Sequence, residues 1–449
     1  MSFEWIETTL GDFINLKRGY DLPKAKRKDG TVPVISSSGY SGSHNVSMIE
    51  GPGVVTGRYG TIGEVFYIPE NFWPLNTTLY VDDFKGNSPL FIYYLLQTIN
   101  FHSFSDKAAV PGINRNHVHM ASITVPKSKH EQEKIASVLK KLEDKISVNR
   151  RMNLTLEQMA QALFKSWFVD FEPVKAKIAV LEAAGTQEEA TLAAMTVISG
   201  KDAVYLADFE REQPGKYAEL RALAELFPAE MLKSKLGDIP VGWINTDLSS
   251  LALLNTLSWS KKNAPESLNY VDLANTKWGV IHSTEEFLFA DAPSRARRKL
   301  KSGDTIVGTV RPGNGSYAFI DEDNLTGSTG FAVLTPKKNH FSTFIYICAT
   351  SKDNIERLAH LADGGAYPAV NSDIVLATPC TIPVEDRDSE KLISAFHGFV
   401  KNLFDCKKNI SLQNKSLEQL RDILLPKLIS GEIDLSNQSL FPKIIMEGA

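Results

Sequence analysis

Two stretches of the chain carry their seam residues at alternating steps of four and three. The first runs Ile135, Leu139, Leu142, Ile146, Asn149, Asn153, Leu156, Ala160, Leu163 and Trp167, and the second runs Leu392, Phe396, Phe399, Leu403, Cys406, Ile410, Gln413, Leu417, Leu420 and Leu424. That period predicts two long helices, each with a seam for a partner helix. One chain with two seams satisfies both by packing the helices on each other, most simply antiparallel. The residues expected to pair them are Leu139, Leu142, Ile146, Asn149, Leu156 and Leu163 with Phe396, Phe399, Leu403, Leu417 and Leu424. Asn149, Asn153 and Gln413 place polar groups in the seams, which costs stability and sets register. Glu133 to Leu156 spans 23 residues and Glu390 to Leu417 spans 27, so the second helix carries four more, one stutter.

Ahead of each helix the period shortens. Runs such as VPVIS, GVVTGRYG and TTLYV, broken by Gly and Pro, predict strands joined by tight turns, and Pro89 to Ile99 and Phe341 to Thr350 read as helices between strands. These regions are copies of one another. Ala109 to Pro126 aligns without gaps on Ala366 to Pro383, with identities that include Ala109/Ala366, Pro111/Pro368, Asn114/Asn371, Val118/Val375 and Pro126/Pro383. Upstream, Gly53 to Ile68 resembles Asp304 to Ile320, a pairing that sets Arg58 beside Arg311 and Gly60 beside Gly313. The expected organisation is α+β: a mixed domain over 1–126, a spacer helix over 127–171, an Ala- and Glu-rich helical connector over 172–235, a second mixed domain over 236–383, a second spacer helix over 384–435 and a tail over 436–449. Nothing in the connector suggests chemistry.

A helix from Ile135 to Phe168 is about 50 Å long at 1.5 Å per residue. At 3.4 Å per base pair that length matches about 15 base pairs. Two similar domains held by such a spacer are suited to two short sequences with unread DNA between them.

Composition narrows the classes. The hydrophobic share of 43% and charged share of 23% are those of a globular protein, and no apolar run approaches the roughly 20 residues of a membrane span. The start resembles neither a secretory signal nor a transit peptide, so a cytoplasmic protein is expected. Three cysteines far apart in sequence, Cys348, Cys380 and Cys406, make neither a disulfide framework nor a CxxC metal knuckle. The net charge of −4 excludes a generic nucleic-acid coat protein, so any DNA contact relies on local basic patches. Such patches are Lys24, Lys26, Arg27 and Lys28; Lys261 and Lys262; and Arg295 to Lys301.

Three segments carry a resemblance: LFKSWFVDFEPV (Leu163 to Val174), LFPAEMLKSKLGDIPVGW (Leu226 to Trp243) and LLPKLISGEIDL (Leu424 to Leu435). In sequence, order and internal repeat the chain resembles the specificity subunits of type I restriction-modification enzymes over essentially its whole length, with a connector longer than the family's pattern. The resemblance implies two pseudo-repeated mixed α/β target recognition domains separated by two long helices packed as an antiparallel coiled coil. It also implies double-stranded DNA as ligand, two modification (methyltransferase) subunits and ATP-dependent restriction subunits as partners, and no catalytic site or cofactor on this chain. S-adenosylmethionine, ATP and magnesium would be used by the partners. Phe164, Phe168 and Phe404, beside the seams, are read as apolar residues that modification subunits cover.

Reading bases takes Arg or Lys for guanine and Asn or Gln for adenine, with hydroxyls and backbone for phosphate. The candidates in the first domain are Lys24, Lys26, Arg27, Lys28, Ser37, Arg58, Tyr59, Lys107, Arg115, Asn116 and His117; in the second they are Lys261, Lys262, Arg297, Arg298, Arg311, Asn314, Tyr367 and Ser372. Each is also compatible with a turn or surface role. Asn114 and Asn371, identical in both copies, are read as structural, because two readers of different sequences should differ where they read.

Chemistry elsewhere is thin. NSPL, Asn87 to Leu90, is a poor imitation of an amino-methyltransferase NPPY segment, and no phosphate-binding loop of the G-x-x-x-x-G-K-[ST] type is present. His117 and His119 form an H-x-H pair without Cys or carboxylate companions at metal-ligand spacing, so no metal is expected. The competing reading is a coiled-coil adaptor that binds only proteins, which the acidic net charge favours.

Overall fold

The computed structural model of the chain describes residues 3–104, 112–234, 237–362, 368–384, 387–433 and 435. It divides into two compact units, residues 1–152 with 409–449, and residues 153–408. The long helices Lys129–Phe168 and Arg387–Ile429 therefore each contribute one half to each unit.

In the first unit a four-stranded antiparallel sheet takes the order Asn15–Arg18, Thr78–Asp83, Gly53–Gly57, Val65–Ile68. A smaller sheet orders Gly39–His44, Val32–Ser36 and Trp73–Pro74. Trp5–Thr9 pairs antiparallel with Ser122–Pro126, tying the start of the domain to the strand that leads into the first long helix. Between sheet and long helix lies Pro89–Gln97, begun by Ser88, whose hydroxyl accepts from Phe91 N, and by Pro89 in the first turn. Leu16, Val54, Leu79 and Val81 of the sheet share one buried core with Phe91, Ile92 and Leu95, and with Ile135, Leu139, Leu142 and Ile146 of the long helix. Gln132, fully buried, joins the parts: it accepts from Ser88 N and donates to Asn87 Oδ1 and to Pro126 O.

The second unit repeats this plan. Its four-stranded sheet runs Ala252–Leu254, Phe331–Pro336, Thr305–Gly308, Tyr317–Phe319, the same connectivity as in the first unit, and Trp243–Asp247 pairs with Pro379–Pro383 as Trp5–Thr9 pairs with Ser122–Pro126. The helix Ser342–Thr350 takes the place of Pro89–Gln97, buried along its whole length. The companion sheet is larger, four strands in the order Glu285–Leu288, Ser267–Val271, Leu325–Ser328, Ala296–Lys299. The connector folds as four helices, Glu172–Glu182, Gln187–Ser199, Ala203–Glu212 and Pro214–Glu225; the last three share a core of Ala194, Met195, Leu206 and Ala224, while Val174 of the first joins the main core of the unit. Its Lys177 is buried and donates to Phe227 O at 2.6 Å, which ties the first connector helix to the segment entering the second half.

Within each unit the two long helices pack antiparallel, and the two halves of the pairing differ in chemistry. In the first unit Leu139, Leu142 and Ile146 share a core with Leu417, Leu424 and Leu428. Its polar layer is Asn149, which donates to Gln413 Oε1 at 2.7 Å and Asn414 Oδ1 at 2.9 Å, while Asn414 donates to Ile146 O. In the second unit the layer is aromatic: Phe396 meets Phe164, Trp167 and Phe168 at ring-centroid distances of 6.0, 5.9 and 5.2 Å. Lys407 pairs there with Glu157 at 2.6 Å, both largely shielded from water. Leu156, Leu163 and Leu403 are half-buried, and Phe399 is 48% exposed although its ring meets Trp167 edge-on.

One expectation is overturned. Phe164, Phe168 and Phe404 are buried within this chain, because Phe344, Trp243, Phe319 and Tyr346 pack on them. The three cysteines are free, and a hydrogen bond with Cys380 and then burial push the Cys348 thiol up, so it stays protonated. Among the described residues no helix is long and apolar enough to cross a membrane.

Candidate nucleic-acid interface

In the first unit the strand Gly53–Gly57 leaves its sheet at Arg58 and Tyr59. Arg58 N donates to Thr77 O at 2.9 Å, and Ile113 N donates to Arg58 O at 3.1 Å. Tyr59 pairs with Gly112 in an isolated antiparallel bridge, and a Cβ on Gly112 would stand 2.2 Å from the Tyr59 ring. The turn and the loop are clamped together. Beyond the clamp Asn114 Oδ1 accepts from Asn116 N at 3.0 Å and starts the short helix Arg115–His119. A cleft of about 440 Å³ opens at this junction, lined by Arg18, Arg58, Tyr59, Asn114, Arg115 and Asn116. Ser37 Oγ stands beside the same turn, 3.4 Å from where a Gly60 Cβ would be.

The cleft thus gathers Arg58, Tyr59, Arg115 and Asn116, which are 56 or more residues apart across the loop, and adds Arg18, which the sequence reading missed. Arg18 ends the strand Asn15–Arg18 and lies opposite Leu79, so its place depends on strand pairing. His117 is exposed on the short helix and does not line the cleft. His119 turns inward, where its Nε2 accepts from Leu16 N at 2.9 Å. Burial and then the Arg115 charge push its pKa down, which keeps the ring neutral. Lys107 lies outside the described residues.

The second unit builds the same clamp. Thr309 N donates to Gly330 O and Val370 N donates to Thr309 O, both at 2.9 Å, and Val310 bridges to Ala369. Asn371 starts the helix Ser372–Leu376 as Asn114 starts its counterpart. These bonds place Thr309, not Arg311, at the position of Arg58. Arg311 instead occupies the corner of Gly60, and both take a left-handed backbone, with φ of 45° and 80°. The sequence alignment therefore slips by two residues at this turn, where the only shared letters are glycine and arginine and the hydrogen bonds are invisible. Exposed Arg311 precedes a single helical turn, Pro312–Asn314, which exposed Asn314 ends. Trp278, 60% exposed, lies over the following Gly315, and its backbone N donates to Gly315 O at 2.7 Å. Ser372 is half-buried, and Tyr367 lies outside the described residues.

The basic runs sort into projecting and committed groups. Lys24 and Lys26 are exposed on one short turn, followed by exposed Lys28, whereas the Arg27 guanidinium is held by Ser41 O. In the second unit two runs distant in sequence meet: Trp259 N donates to Arg297 O at 2.8 Å, which brings exposed Lys261 and Lys262 beside the strand Ala296–Lys299. Lys299 stands 4.6 Å over the Trp259 ring and Arg297 4.8 Å over Phe289. Arg298 is half-buried, and burial pushes its pKa down, while Arg295 is tied to Asp272 and Tyr270. The Asn87 amide is spent on Phe13 O and Gln132, so NSPL is a helix start. Among the described residues no group of three or more His, Cys, Asp or Glu is placed to hold a metal ion.

Comparison with known proteins follows the same lines. Residues 3–158 match the family described as type I restriction modification DNA specificity domain. The type I restriction enzyme HindI specificity subunit of Haemophilus influenzae is 30% identical, with 77% of each chain covered. The MjaIX specificity subunit of Methanocaldococcus jannaschii is 22% identical over 76% of this chain and 68% of that one. Among solved structures, the type I restriction-modification S subunit from M. genitalium shares the fold, with a TM-score of 0.50 and 16% identity over 95% of this chain and 96% of that one.

Proposed function

Because the chain belongs to the specificity subunits of type I restriction enzymes, we propose that it binds a split DNA target, one half through each of two recognition domains, 1–126 and 236–383. The helices over 127–171 and 384–435 then set the spacing and dock two modification subunits, with restriction subunits joining the same assembly. The address comes from this chain and the chemistry from its partners: S-adenosylmethionine-dependent methylation of adenine N6, and ATP- and magnesium-dependent cleavage. Such an assembly works in the cytoplasm.

The observation that carries the reading is the duplicated clamp. Both units pin a turn after a sheet strand to an Asn-capped loop, yet the side chains presented differ: Arg58, Arg115 and Asn116 in one, Arg311, Asn314 and Ser372 in the other. A common backbone with different donors and acceptors is what two readers of different sequences require. Cations on turns supply the phosphate contacts that an acidic chain otherwise lacks.

The test is methylome sequencing of cells expressing the chain with its modification subunit. N6-methyladenine at one split motif is the expected result, together with duplex binding that weakens steeply as salt rises. A complex that forms yet methylates no split motif and binds no duplex at low salt would replace this reading with a protein-only adaptor.

A further inference from the structure

Arg58 is held at both its backbone and its side chain. Its backbone is fixed on both sides, by the bonds to Thr77 O and from Ile113 N. Its side chain is fixed as well: Nε donates to Ile113 O at 3.3 Å, and the guanidinium carbon stands 4.5 Å over the Tyr59 ring. The Tyr59 backbone is bridged to Gly112, and its ring packs so close to Gly112 that a Cβ there would stand 2.2 Å from it. One edge and one face of the guanidinium are therefore occupied, while among the described residues no acceptor is bonded to Nη1 or Nη2. What remains is a two-pronged donor aimed from a cleft that also holds Arg18 and Arg115.

Such a fork matches two acceptors side by side. In DNA these are the O6 and N7 of guanine in the major groove, or two oxygens of one phosphate. Adenine presents a donor where guanine presents O6, so a fixed Arg fork repels it. The phosphate alternative draws less on this geometry, because the projecting lysines also contact phosphate as point charges and such contacts need no immobilised plane. In the second unit the same backbone position is Thr309, whose hydroxyl donates to Gly330 O, and the residue aligned with Arg115 is Ser372.

We propose that the first recognition domain reads a guanine through the pinned Arg58 fork, and that the second domain has no equivalent guanine contact at this position. The inference rests on the DNA-reading function above. It predicts a G·C pair in the half-target of the first domain, at a position where no other base is accepted.

The experiment uses the complex of this chain with its modification subunit and duplexes carrying the split motif found by methylome sequencing. Each guanine of the first half is replaced in turn by 7-deazaguanine, which lacks the N7 acceptor and leaves every phosphate in place. One replacement is expected to weaken binding by about tenfold, the scale of half a bidentate base contact. The same replacement is expected to change nothing further in an Arg58→Ala complex, and Arg58→Ala should relax methylation at that position only. Arg58→Lys, which keeps the charge and can reach O6 or N7 but without the fixed planar fork, should fall between the unaltered complex and Arg58→Ala. A first half without any G·C pair, or replacements without effect at every guanine, overturns the guanine contact. Uniform weakening by Arg58→Ala, with unchanged base preference and a smaller salt dependence, assigns the fork to phosphate instead. Those outcomes leave the DNA-reading function standing, which fails only if the unaltered complex shows no split motif. The 7-deazaguanine arm needs no altered protein, so a folding defect in a variant does not blur the result.

Discussion

The two mixed domains share a sheet connectivity, a closing strand pair and a clamped turn, and they differ almost wherever a side chain faces out from that clamp. At the position of Arg58 stands Thr309, at Arg115 stands Ser372, and at Gly60 stands Arg311. The first domain gathers guanidiniums in a cleft, whereas the second spreads its cations over a turn and an aromatic-backed strand and exposes Trp278. Asn114 and Asn371, whose side chains start equivalent helices, are kept in both copies. Such a division lets recognition diverge while the scaffold stays, since backbone bonds are indifferent to most side chains.

The helix pairing divides in the same way, and substitutions can break or sharpen the contrast. The largest effect is expected at Phe396, fully buried against three aromatic rings of the first helix: Phe396→Ala should cost about 3–5 kcal/mol in urea unfolding. A loss under about 1 kcal/mol would mean that the aromatic layer is not what holds the helices in the second unit. Next comes the polar layer of the first unit. Asn149→Ala removes the donor to Gln413 and Asn414 and should cost about 1–3 kcal/mol by the same measurement. A stabilising outcome would show that the layer is maintained for register alone. The smallest effect belongs to the corner that is Gly60 in one domain and Arg311 in the other. Relief of a left-handed Cβ, worth about 1–2 kcal/mol, is partly offset by the greater chain entropy of glycine, so Arg311→Gly should raise stability by at most about 1 kcal/mol. A clear loss in thermal unfolding would mean that the Arg311 side chain makes contacts that hold the turn.

Much of the framework was legible because it rests on periodicity. The four-three pattern marks both long helices, and the structure begins and ends them at Lys129–Phe168 and Arg387–Ile429. Short strand runs such as Val32–Ser36 were equally visible, and the copied Asn114 and Asn371 were legible as structural, though not as helix starts. The cleft was only half legible. Arg58, Tyr59, Arg115 and Asn116 announce themselves by residue type beside glycine turns, but Arg18 reaches the cleft through strand pairing, as in the second unit Trp278 reaches its turn through a backbone bond to Gly315. The two-residue slip between Arg58 and Arg311 has the same origin, since matching letters carry no record of which carbonyl an amide meets.

Sequence by itself determined the two-fold plan, the helices and their seams, because an apolar period of 3.5 residues has only one economical use in water. Tertiary structure decided which cations project and which are spent, as Arg27 on Ser41 O and Arg295 on Asp272 are. It also decided that Phe164, Phe168 and Phe404 are covered by this chain's own aromatics. The reason is physical: periodicity is local and survives in the bare sequence, while the partner of a charge or a ring is chosen by residues tens to hundreds of positions away.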